Sequence, residues 1–433
     1  MAEKVVVDFD HHSEAYRERG MEIAAEAREQ CPVAWTEAHG GYWFVTGLEE
    51  ASAFQKRPDL FSAARELGNP DSIYKGISIP FVDSEYGGGF LEMDPPVQLE
   101  YRRILNSFLS PSAVLSWEPM ARDLTNACID DIIELGEGDF VEQIVNVVPA
   151  VLTMGLLGLR LSDWAIFNEP AHAGIYTPPD SPDRPRVDEL TAQMGATIFQ
   201  YVLEGKANPQ ATTGMLRALL DATIDGEPLP EINIMGTVGL VIGGGFDTTT
   251  AFTSNVWRYL AEHPEDKARL LEDPELWGTA TEEFLRFFSP SQGTARSITQ
   301  DCEVAGYEFK KGDRALVSFS MPNRDPKFFE DPDHIHIDRF PNRHAAFGLG
   351  NHRCIGSNLA RMQFKAIMQE SLARIPEYTI DYEGLHRYET IGTINGNKNM
   401  PMSFPASKRT GPGLADALER WQATLDAQSA NAS

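Results

Sequence analysis

The stretch IMGTVGLVIGGGFDTTTAFTSNVWRYLAEH, residues 234–263, is apolar nearly all the way round a helical wheel. A helix of that kind has no solvent face and should be deeply buried. Gly243, Gly244 and Gly245 stand together inside it, and each costs about 1 kcal/mol against alanine in a helix interior. Three in a row invite a kink and leave a gap where side chains would be. Asp247 and Thr248 follow at that gap. An acid and a hydroxyl are expensive to bury unless they are paired or wet. A groove, a carboxylate and a hydroxyl together suit a bound diatomic molecule with a proton route. The same residues also fit a kinked core helix whose threonines bond back to their own carbonyls.

A second string constrains the chemistry. Residues 347–356 read FGLGNHRCIG, and a helical pattern, SNLARMQFKAIMQESLARI, follows at once. A cysteine at the mouth of a helix faces unpaired N–H groups and the positive end of the helix dipole. Both favour the thiolate. Gly348 and Gly350 allow a tight loop with positive φ, and Gly356 lets something flat approach the backbone. Phe347 can shield the sulfur, while His352 and Arg353 supply donors or positive charge. A thiolate in a dry, donor-rich loop is what a haem iron needs as axial ligand. Read alone, the string also fits a buried structural cysteine.

Phe347, Gly348, Gly350, His352, Cys354 and Gly356, followed by Leu359, Ala360 and Arg361, resemble the haem-binding loop of the cytochrome P450 family, FGxGxHxCxG with xxLAR after it. The resemblance extends in order over about residues 10–405. It implies a mainly α domain with small β-sheets that binds one haem b through Cys354. In the family the helix over the haem has a G-G-x-[DE]-T pattern. By resemblance Thr248 organises hydrogen bonds to bound oxygen and Asp247 relays protons. Glu283-x-x-Arg286 would alone be an ordinary i,i+3 surface pair. With Arg339 in HIDRFPN it resembles the family's buried Glu-Arg-Arg triad, a structural lock on the cysteine loop. Gln98, Arg102, Arg296 and His352 match positions that contact the haem propionates, although many relatives have histidine where this chain has Gln98. The substrate pocket implied by the resemblance draws on Phe81, Phe90, Ile242, Gly244, Thr294 and Ile394, each of which also fits plain core.

The reaction so implied is monooxygenation of a hydrophobic small molecule (terpenoid, steroid, fatty acid or aromatic) with O2 as co-substrate. No strand–GxGxxG–helix unit is present for a flavin or dinucleotide. Electrons are therefore expected from a separate ferredoxin fed by a ferredoxin reductase. Two other readings stand beside this one. A haem-thiolate sensor or carrier without turnover would need no acid–threonine pair. A peroxide-driven variant resembles the fold but carries Arg-Pro at that place, which this chain lacks.

Composition agrees. The chain has 433 residues, 42% of them hydrophobic, so a large core is possible. The motifs must converge on one cofactor, which argues for one domain over residues 1–405 rather than the two or three that length alone suggests. Cys31, Cys128, Cys302 and Cys354 are widely spaced, against a zinc site or disulfide framework and for a reducing compartment. A net charge of −27 opposes nucleic-acid binding. Arg343, Arg353, Arg361 and Lys365 nevertheless cluster in sequence around the cysteine, and the resemblance brings Arg102 and Arg103 close. The first twenty residues hold no apolar stretch of membrane-spanning length. The expectation is a soluble, bacterial-type, cytoplasmic monomer with no membrane anchor.

Along the chain, a helix around 13–30 leads to two short strands near Gly40-Gly41. Residues 63–96 read as a long loop. Helical patterns dominate to about 290, broken at 173–186, and strands return over 292–320. The tail, 406–433, carries LADALERWQATLDAQ, an amphipathic pattern expected as a docked or frayed surface helix.

Overall fold

The computed structural model describes residues 4–82 and 86–432. In chain order its helices are α1 (Glu14–Gln30), α2 (Leu48–Gln55), α3 (Val97–Leu109), α4 (Pro111–Leu115), α5 (Glu118–Ile132), α6 (Val147–Leu157), α7 (Trp164–Tyr176), α8 (Arg184–Ala207), α9 (Gly214–Asp221), α10 (Glu231–Glu262), α11 (Pro264–Glu272), α12 (Trp277–Phe288), α13 (Ser357–Arg374) and α14 (Leu414–Ala432). A five-stranded sheet lies to one side. It is built from β1 (Val33–Thr36), β2 (Tyr42–Val45), β3 (Phe61–Ser62) and two later strands, Gly293–Ile298 and Arg314–Ser318. The last of these runs parallel to β2, with Ala315 opposite Trp43, and antiparallel to Gly293–Ile298, with Leu316 opposite Ala295. Smaller two- and three-stranded pieces complete the chain.

The apolar stretch that opened the sequence reading becomes α10, which packs against α6, α7, α8 and α13. Ile242, Phe246, Val256 and Trp257 on it are wholly buried. These neighbours cover most of α10, as its lack of amphipathicity requires. The expected kink is absent: α10 runs unbroken from Glu231 to Glu262. Gly245 lies so close to α6 that a Cβ there would collide with Thr153. Close helix packing thus uses the glycine without bending the helix.

The expected break at 173–186 is shorter than the sequence suggests. α7 continues to Tyr176 and α8 starts at Arg184, so only 177–183 is irregular. Pro185 falls in the first turn of α8, where its missing N–H costs no helical bond. At the C-terminal end α14 docks on α5. Trp421 Nε1 donates to Asp123 Oδ2 at 2.6 Å, and Leu414, Leu418, Trp421 and Leu425 pack against the main core. Among the described residues no helix is long and apolar enough to cross a membrane.

Candidate functional site

Residues 345–356 form a tight loop that delivers the chain into α13. Cys354 N–H donates to Phe347 O at 2.8 Å, and Gly348 N–H to Ala345 O at 2.8 Å. Gly350 has φ +66°, and a Cβ there would lie 2.6 Å from the Gln55 carbonyl oxygen. Only glycine fits that turn. Cys354 keeps exposed surface, yet enough protein surrounds its thiol to desolvate it. Burial pushes its pKa up, against the pull of the Gly356 N–H and of Arg102, Arg353 and Arg361. Proximity to the helix mouth therefore does not by itself outweigh desolvation. A bound metal ion, which would hold the thiolate outright, is the stronger influence on such a group.

α10 packs against α13, the helix this loop leads into. Gly244 is exposed in the middle of this otherwise buried helix, and Thr248 is half-buried one turn later. A Cβ at Gly243 or Gly244 would meet nothing within 4 Å. Thr248 Oγ1 donates to Gly244 O at 2.9 Å. Asp247 points elsewhere. Its side chain is wholly buried, Oδ1 accepts from Tyr388 Oη at 2.6 Å and meets His172 Nδ1, and Oδ2 has no hydrogen-bond partner.

Beside the loop, positive groups gather without an acid to pair them. Arg296 is buried, and its pKa is lowered to about 10 by desolvation against the pull of Asp94. Its guanidinium donates to Thr294 Oγ1 at 2.9 Å, Ala295 O at 2.7 Å and Gln55 Oε1 at 3.1 Å. Arg102 is desolvated and forms no ion pair among the described residues. His352 is held down to about 3, first by burial and then by Arg296 and Arg102, and neither ring nitrogen has a partner. It is therefore a neutral donor here, not a cation. Buried charges of one sign and an orphaned imidazole are stable only with an anion among them. With an enclosed thiol and a side-chain-free face of α10, they fit a flat, two-carboxylate group ligated through sulfur. Gln98 differs from the expectation for it. Its Nε2 donates to Asn351 O at 2.9 Å, and the free atom is Oε1, an acceptor that would repel a carboxylate. Gln98 thus braces the loop.

Glu283, Arg286 and Arg339 meet. Arg286 donates to both oxygens of Glu283 at 2.8 Å and also to the carbonyls of Asn323, Pro332 and His334. Arg339 Nε donates to Glu283 Oε2 at 2.9 Å. With every guanidinium direction of Arg286 used, the desolvation cost of so buried a charge is offset. Sequence reasoning missed the residues that connect this cluster to the loop. Asn342 Nδ2 donates to Glu283 Oε2 at 3.0 Å, and Asn323 Oδ1 accepts from Ala345 N at 2.6 Å. A second anchor was also missed: Arg361 grips Glu282 with two bonds of 2.6 and 2.7 Å and stacks over Phe347.

The pocket candidates scatter. Phe90 and Ile242 are buried in the main core, and Ile394 in a second cluster with Tyr388 and Ile391. Thr294 is half-buried beside Arg296. Phe81 lies exposed under the Arg65 guanidinium, 5.0 Å away. Gly244 faces the open side of α10.

Comparison with known proteins gives the same class. Residues 175–375 match the family model for cytochrome P450. Cytochrome P450-terp of a Pseudomonas species is 26% identical, across 87% of this chain and 91% of that protein. Linalool 8-monooxygenase of Pseudomonas putida is 29% identical, across 88% and 94%. CYP109E1 from Bacillus megaterium in complex with testosterone superposes with a TM-score of 0.78 at 26% identity, across 90% of this chain and 99% of that one. A mainly helical haem protein is the class that fold and relatives define. Over most of its length the chain is similar to cytochrome P450 proteins. The named relatives include monooxygenases, among them linalool 8-monooxygenase and a steroid C26-monooxygenase.

Proposed function

We propose that this protein is a cytochrome P450 that oxygenates a hydrophobic small molecule, with Cys354 as the iron ligand and Thr248 and Asp247 serving proton delivery. Bound haem supplies the iron at which O2 is activated with two electrons and two protons. Arg102, Arg296 and His352 would hold its carboxylates, Phe347 and Gly356 would border it, and the Glu283–Arg286–Arg339 cluster fixes the loop. The observation that carries this reading is convergence. Arg102, Arg353 and Arg361 act electrostatically on the Cys354 thiol, and Arg102 and Arg296 act on His352, so thiol, imidazole and guanidinium groups lie together.

Of the four substrate classes expected from sequence, a terpenoid is the first to test, since two relatives are named for terpene chemistry. Electrons come from a ferredoxin and its reductase, and the enzyme works as a cytoplasmic monomer. Residues 1–405 form the haem domain, with 406–433 as an appended helix.

Replacing Cys354 with Ala is the deciding experiment. The strongly red-shifted Soret band of the ferrous–CO complex should vanish. Survival of that band in Cys354→Ala would end the assignment. Product formation with NAD(P)H, ferredoxin and reductase, set against peroxide alone, tells the ferredoxin-dependent reaction from a peroxide-driven one.

A further inference from the structure

Asp247 cannot exchange protons with water directly, because its side chain has no accessible surface. Successive residues of a helix are rotated by about 100°. Asp247 therefore faces α7 and the turn at Tyr388, while Thr248 lies on the side of α10 that carries Gly244. Two groups from distant parts of the chain close on its Oδ1: the Tyr388 hydroxyl, and Nδ1 of His172 in a very short contact. Tyr388 is buried, and both burial and Asp247 push its pKa well up. It stays protonated, so it can hold the carboxylate but cannot supply it.

His172 is different. Its side chain keeps 7% of its surface accessible where Asp247 keeps none, and its Nε2 lies 3.1 Å from Oδ1 of the partly exposed Asn168, one turn back on α7. If Nε2–H donates to Asn168, a neutral ring would turn a bare lone pair on Nδ1 toward a carboxylate oxygen. That is repulsive unless a proton is shared between them. If the Asn168 amide is turned so that Nε2 accepts, the ring's hydrogen sits on Nδ1. In either arrangement a proton lies between Nδ1 and Oδ1.

We propose that His172 is the residue that restores protons to Asp247, and that Tyr388 is a positioning residue that fixes the carboxylate for the exchange. The inference rests on the reading of Asp247 and Thr248 as the proton route. With Nε2–H donating to Asn168 the ring carries a second proton at Nδ1; that N–H bond breaks and an O–H bond forms at Asp247 Oδ1, which leaves a neutral ring. The neutral ring then regains its proton from water, and no electrons move. Oδ2 is the carboxylate oxygen without a hydrogen-bond partner in the protein.

The test uses the haem-loaded enzyme with its electron donors and three variants: His172→Gln, Tyr388→Phe and Asp247→Asn. His172→Gln should slow NAD(P)H consumption about a hundredfold, the low end for a lost proton-transfer group. It should raise the solvent isotope effect and leave the ratio of product to peroxide unchanged. Tyr388→Phe should show a smaller loss of the same kind. A readout independent of turnover comes from 15N-histidine NMR of the diamagnetic ferrous–CO form. A far-downfield, exchange-protected proton on His172 Nδ1 should be present in the unsubstituted protein and absent in Asp247→Asn. Wild-type rate and isotope effect in His172→Gln, with Asp247→Asn slow, would overturn the role of His172 and leave Asp247 in place. Wild-type behaviour in both variants would sink the Asp247 reading as well. The NMR measurement needs no variant at position 172, so misfolding there leaves the proposal open to refutation: no such proton in the unsubstituted protein overturns it.

Discussion

Asp247 and Thr248 are neighbours in the chain with unlike surroundings. Thr248 shares the open face of α10 with Gly244, whereas Asp247 is locked between α7 and the Tyr388 turn. Their loss should therefore differ. Thr248→Ala removes a hydroxyl on that face of α10 and disturbs no buried partner, since its one bond runs to a carbonyl of its own helix. Substrate binding and NAD(P)H consumption should persist, with most of the consumed reductant appearing as hydrogen peroxide. Measuring NAD(P)H, product and peroxide together checks this. Wild-type coupling would return Thr248 to a bystander on a core helix.

At the scale of elements, the cysteine loop is held from both sides by α12. Glu283 faces one way, to Arg286, Arg339 and Asn342, and Glu282 the other, to Arg361 of α13 and His344. Burial alone would raise the Glu282 pKa, but the bonds from Arg361 and His344 outweigh it and bring the carboxyl down to about 2. A carboxylate depressed in the folded state stabilises above its unfolded pKa, near 4.5, and that stability fades as pH falls toward the folded value. The α12–α13 junction should thus lose stability between about pH 4.5 and 2. Glu282→Gln should lower the melting temperature at pH 7 and flatten its dependence across that window. A melting profile in Glu282→Gln that keeps the wild-type acid slope would exclude this pair as its source.

At the scale of the whole molecule, a net charge of −27 coexists with a small basic face near the cysteine loop. The structure redistributes that face. Arg103 is paired with Glu100 and Arg361 is spent on Glu282. Arg343 and Arg353 are exposed and carry no ion pair among the described residues. Reversing Arg361 would break the α12–α13 junction, so Arg343→Glu and Arg353→Glu are the informative variants for ferredoxin docking. Each should slow stopped-flow reduction by an acidic ferredoxin roughly tenfold at low salt and weaken its salt dependence. Unchanged rates in both would move the docking site elsewhere.

Much of the site could be read from short strings because its chemistry is local. A turn needing Gly350, a cysteine at the start of α13, and an acid–threonine pair after three glycines all declare themselves within ten residues. So did the burial of α10, since a helix without a polar face has no other stable place. What could not be read is which donor meets which acceptor. His172 reaches Asp247 across 75 residues and Tyr388 across 141, and neither leaves a mark in local spacing. Gln98 looked available for an anion until the fold tied its amide nitrogen to the Asn351 carbonyl, and the glycines looked like a kink until α6 packed against one of them. Propensity and periodicity act over a few residues. Hydrogen-bond satisfaction inside a core is decided by groups far apart in sequence, and only the tertiary structure brings them together.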